Sequence, residues 1–108
     1  MTFYLHRAND KKKKFFVEFE NPDTGRSKRI YFGAIRPNGT PYEDFTMHKD
    51  IERRNRYIQR HKANENWSSP YAGAGVWSRY LLWGEPTLLQ SIKAMERKFK
   101  IKIVYKTR

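Results

Sequence analysis

The clearest pattern along the chain is alternation. Phe15, Val17 and Phe19 fall on one side of an extended segment, and Phe16, Glu18 and Glu20 on the other. Asn21-Pro22-Asp23-Thr24-Gly25 follows. Proline presets one dihedral there and glycine accepts positive φ, so the chain turns. A second alternating run, Lys28-Arg29-Ile30-Tyr31-Phe32, completes a predicted β-hairpin with a loop of about five residues. Phe3-Tyr4-Leu5-His6 reads as a further short strand. At the other end Ile101, Ile103 and Tyr105 alternate with Lys100, Lys102 and Lys106, and Val104 joins the lysines. That spacing predicts a last strand with one buried and one basic face.

Helical spacing occupies the middle. Residues 35 to 45 contain Pro37, Gly39 and Pro41 and form a loop. Beyond it one helix is predicted, capped by Asp44 or Thr46 and fading near Ala63-Asn64. Asp50 and Glu52 suit its first turns, where carboxylates meet the positive end of the dipole. Met47, Ile51, Ile58 and His61 share one face of it. Asn66 to Gly75 is irregular, and Val76 to Trp83 is a short apolar helix that Gly84 ends. Pro86-Thr87 opens a second long helix, with Leu88, Ile92, Met95 and Phe99 on one stripe. The expected fold class is α+β: a small antiparallel sheet, the hairpin plus the terminal strands, packed against two or three helices. No repeat or linker divides the pattern, so residues 1–108 are expected to form a single basic domain.

Composition adds a partner class. The 108 residues carry 23 Lys and Arg against 11 Asp and Glu, a net charge of +12. Such a field attracts phosphates, anionic lipid headgroups and acidic protein surfaces. Aromatic residues make up 16% of the chain, which excludes a disordered basic tail and requires a packed fold. The absence of cysteine excludes disulfides and thiolate metal sites and agrees with a reducing compartment. No apolar run reaches the roughly 20 residues of a membrane span, and Met1 to Arg7 lacks the apolar core of a signal peptide. The expected location is therefore the interior of a cell or of a virion.

The charge has a local focus. Lys49, Arg53, Arg56 and Arg60 are spaced by four, three and four, so on one helix they share a face, flanked by Arg54 and Lys62. Guanidinium groups one turn apart bridge neighbouring phosphates. Four neutralised phosphates on duplex DNA would make log K fall with log salt at a slope of about −3.6. A solvated helix face is the competing explanation, since arginine is a good helix former. Trp67, Tyr71, Trp77, Tyr80 and Trp83 offer rings for unpaired bases, but their apolar company favours a core or a partner-docking surface, with Trp67, Trp77 and Trp83 as its candidates.

Catalysis has weaker support. A nuclease site would need converging His and carboxylate groups, for which His48, Asp50, His61 and Glu65 are the candidates. On a single helix His48 and His61 are roughly 220° apart and cannot share one ion. Gly73-Ala74-Gly75 follows no apolar strand pattern, which excludes a dinucleotide fingerprint, and no serine has an evident base. No cofactor, catalytic residue or metal site is expected.

Several short stretches form an ordered series. They are Phe32-Gly33-Ala34; Asp44-Phe45-Thr46 with His48-Lys49-Asp50; Arg53, Tyr57, Arg60-His61, Glu65 and Trp67; Ala72-Gly73; Trp77-Ser78-Arg79; and Leu82-Trp83. From Lys28 to Phe99 the series resembles a family of small basic proteins encoded by large DNA viruses of algae and amoebae, a domain of unknown function. Two places depart from it: the Pro-rich loop 35–43 is longer, and Ala74-Gly75-Val76 separates Gly73 from Trp77. The resemblance implies a viral origin and does not supply an activity. The expectation is a non-enzymatic virion-associated protein, a minor capsid or genome-contacting component. Its partner would be nucleic acid, DNA first, or an acidic capsid surface. A small nucleic-acid-processing factor and a host-targeting binding protein are the alternatives.

Overall fold

The structure is a computed structural model, and it describes residues 1–9 and 12–106. Lys11, part of the expected lysine run, lies outside the described residues. The chain forms two compact units, Met1–Tyr42 with Ile101–Arg108, and Glu43–Lys100.

The first unit is a four-stranded sheet. Strands β1 (Thr2–Arg7), β2 (Lys13–Glu20), β3 (Ser27–Ala34) and β4 (Lys102–Lys106) lie in the order β3-β2-β1-β4. The hairpin is the one the alternation predicts. Its turn closes through Gly25 N–H donating to Asn21 C=O at 2.7 Å, with Gly25 at φ 73°. One pairing differs from expectation: β1 and β4 run parallel, so the sheet is mixed rather than wholly antiparallel. A parallel pair needs a long connection, and everything from β2 to the last helix lies between these two strands.

Pleating sorts the side chains. Phe3, Leu5, Phe15, Val17, Phe19, Ile30, Phe32 and Ile103 are buried on one face, each contributing roughly 1.5–3 kcal/mol. The other face is the more open one: Tyr4 and Tyr31 are exposed, and His6, Phe16, Glu18 and Val104 are half-buried. Across it Tyr31 pairs with Phe16, Phe16 with His6 and His6 with Lys106, one residue from each strand in a straight row. The next row runs Arg29, Glu18, Tyr4, Val104.

The second unit is helical: α1 (Phe45–His48), α2 (Ile51–Lys62), α3 (Ala74–Trp77), a π turn (Ser78–Leu82) and α4 (Leu88–Phe99). The single helix expected from residue 46 onward is broken. Asp44 caps α1 by accepting from Thr46 N–H at 2.9 Å, and Asp50 caps α2 by accepting from Glu52 N–H at 3.0 Å. Between the caps Lys49 sits in the left-handed region at φ 56°, where its N–H closes α1 on Phe45 C=O. The break leaves only part of the expected apolar face inward: Met47 and Ile51 are exposed, Ile58 and His61 are half-buried, and the buried side chain of α2 is Tyr57. The second long helix opens at Pro86-Thr87 as expected, with Thr87 as its cap, accepting from Gln90 N–H at 3.2 Å. Gly84 follows the π turn at a close approach, since a Cβ there would come within 2.3 Å of Tyr80 C=O. Among the described residues no helix is long and apolar enough to cross a membrane.

Candidate nucleic-acid interface

The expected cationic ridge of α2 is shorter in the structure than in the sequence. Lys49 is not on α2, and its ammonium donates to Thr46 C=O and Pro86 C=O at 2.9 Å each. Arg53 pairs with Glu43 at 3.2 Å. Arg54 points inward, its Nε donating to Trp83 C=O at 3.1 Å and Gly84 C=O at 2.9 Å, its guanidinium over the Phe45 ring. It caps the carbonyl end of the π turn, where a cation is favoured. Arg56 and Arg60 remain: both exposed, one turn apart, and free of ion pairs among the described residues. Lys62 is exposed on the opposite flank of the last turn.

The tryptophans divide. Trp77 is fully buried and its Nε1 donates to Pro70 C=O at 2.9 Å, so it is a core residue and not a docking group. Trp83 is half-buried and stacks on Tyr57 at 4.3 Å, the planes 4° apart. Trp67 is half-buried under Arg79, 5.4 Å from ring centre to guanidinium, and its Nε1 donates to Glu65 at 2.9 Å. Arg79, carried by the π turn, also covers Tyr80 and reaches Trp83 C=O at 3.4 Å. Burial, and then the charge of Arg54, push its pKa down. Its Nε is buried without a hydrogen-bond partner among the described residues.

The helix break also changes the placement of the histidines. Their expected divergence assumed one continuous helix. In the structure His61 stacks on Tyr57 at 4.2 Å, Tyr57 stacks on Trp83, and His48 lies 5.3 Å from Trp83. The two imidazoles therefore border one aromatic cluster. His61 Nδ1 meets Glu65 at 2.7 Å, and the carboxylate requires the ring to donate there. His48 Nδ1 accepts from Asp50 N–H at 2.9 Å, leaving a buried Nε2 without a partner among the described residues. The Asp50 carboxylate is engaged in capping α2. Tyr57 is held neutral, its pKa raised by burial first and by Glu65 second. Among the described residues no three His, Asp or Glu groups could hold a metal ion.

A family model matches residues 4–61, more than half of the chain. The chain belongs to a family of unknown function, DUF5754. The matched span starts before Lys28 and stops short of Glu65, so it differs from the stretch that carries the motif series above. It contains β2 and β3, the sheet rows they share with β1, and α2 as far as His61. No curated protein and no solved structure matches the chain. The function of DUF5754 is unknown, and the chemistry has to come from the geometry.

Two groups of residues escaped the sequence reading. Arg79 and Arg54 converge on Trp83 C=O, from positions 25 residues apart with no shared periodicity. Tyr4, His6 and Tyr31 join Phe16 on the open sheet face. A signal for the second group was present, because alternation placed Phe16 on the solvent side, where a polar residue is the norm.

Proposed function

We propose that the chain is a non-enzymatic polyanion-binding protein of a large DNA virus, a virion-associated component that contacts nucleic acid, DNA first, or an acidic capsid surface. One observation carries the binding part. Arg56 and Arg60 are exposed on one face of α2 and unpaired among the described residues, in a chain of net charge +12. A free cation one turn from another can take a phosphate without first breaking an internal ion pair. The viral part rests on the ordered motif series. Binding is tested by titrating labelled duplex and single strands across salt. The virion role is tested by mass spectrometry of purified particles, where a packaged component is present in many copies and a host-targeting protein is not.

The His61–Glu65 pair favours a second reading, a small nucleic-acid-processing factor, because a carboxylate-oriented imidazole is a general-base arrangement. Incubation of labelled single and double strands with Mg²⁺ or Mn²⁺ decides it: cleavage lost in His61→Ala would establish this reading over the first.

A further inference from the structure

We propose that the open face of the sheet is a stacking surface for the unpaired bases of single-stranded nucleic acid. This deepens the polyanion reading and rests on it, since phosphates must be neutralised for bases to be held. The first observation is the row of rings. Phe16 lies 4.6 Å from His6 with the planes 8° apart, and 5.1 Å from Tyr31. Neighbouring strands are about 4.8 Å apart, so rings at these distances stand in file across the sheet. The solvent face of a sheet is ordinarily polar, and nothing in the fold requires three rings there.

The second observation is where the file ends. β3 is an edge strand, and Tyr31 on it is 39% exposed, as is Tyr4 in the next row. A planar group can extend the file over Tyr31 without displacing another strand. The third is charge. Arg29 covers the Phe16 ring at 4.7 Å and Lys106 the Tyr4 ring at 5.6 Å, while Lys102 is exposed on the same face. Glu18, the carboxylate between them, is bonded to Arg29 through Nε at 2.9 Å, an exposed and weak pair that a phosphate has to share or exchange, so Lys102 and Lys106 carry the charge argument first. Rings with cations at their edges match a chain of bases with phosphates between them. Sheets that expose aromatic side chains in this way hold two or three bases of single-stranded RNA by stacking. A duplex has its base faces covered and can use only the cations. An acidic peptide would likewise leave the rings without a partner.

The test uses the full chain, a labelled dT oligomer, an rU oligomer of equal length and a duplex. The double variant Tyr4→Ala/Tyr31→Ala is expected to weaken both single strands at least about tenfold and to leave the duplex within about twofold. Tyr4→Phe/Tyr31→Phe retains the rings and is expected to bind like the parent. Independently of any variant, ring protons of Phe16 and Tyr31 in the parent chain should shift when the dT oligomer is added. Equal losses for single strands and duplex, or ring protons that stay put in saturated complex, overturn the stacking surface and leave the polyanion reading standing. If no oligomer binds at low salt, the stacking surface falls together with the nucleic-acid part of the polyanion reading.

Discussion

Arginine lies over aromatic rings both on the open sheet face and in the helical unit, and the two places differ in what the cation has left to offer. On the open sheet face Arg29 lies over Phe16, about half exposed, with one carboxylate as its partner. Hydrogen bonding to Tyr31, then to Glu18, holds it firmly protonated. In the helical unit Arg54 and Arg79 lie over Phe45, Trp67 and Tyr80, but both reach inward to the Trp83 carbonyl. Ring contact alone therefore does not identify a binding cation. A guanidinium that caps backbone carbonyls stabilises the fold, and one that faces water over a ring can exchange solvent for phosphate.

Mutations at the helical cluster should show the larger stability effects. Trp77→Ala empties the centre of the helical unit and is expected to lower stability by about 4 kcal/mol, read from urea unfolding. A docking tryptophan would show almost no change. Arg54→Ala removes two charge-assisted bonds to Trp83 and Gly84 and should cost about 2 kcal/mol. Tyr57→Phe sharpens the point through pH. The folded-state pKa of Tyr57 is raised above its ordinary value of 10.0, so above that pH the unfolded chain releases a proton that the folded chain keeps. Stability is full below pH 10 and falls as pH rises, by up to about 1.4 kcal/mol per pH unit for this one group. The phenylalanine variant should lack that part of the alkaline decline, measured as the difference between the two urea midpoint curves. Arg29→Ala and Arg56→Gln, by contrast, should leave the urea midpoint almost where it is in the parent chain, since both side chains are exposed.

How much of this could be read from the residues alone follows the range of each interaction. The β2–β3 hairpin was legible because its pattern and its Asn21–Gly25 turn are local. The start of α4 at Pro86-Thr87 was legible for the same reason. The parallel pairing of β4 with β1 was not, because alternation fixes which face a residue occupies and says nothing about the neighbouring strand. The break at Lys49 was hidden by Asp50. An acid there fits the first turn of a running helix as well as the cap of a new one, and only the second agrees with Lys49 in the left-handed region. That ambiguity carried Lys49 into the expected ridge and set His48 opposite His61. The π turn that brings Arg79 beside Arg54 has no periodic signature of its own.

The central claim is that exposed cations of α2, unpaired among the described residues, meet nucleic acid, and the salt dependence of duplex binding tests it most directly. With the parent chain, log K should fall linearly with log salt. With Arg56→Gln/Arg60→Gln the slope should flatten by about 1.8, two phosphate contacts' worth. An unchanged slope in the double variant, or a parent chain that leaves the duplex free at low salt, would contradict the account.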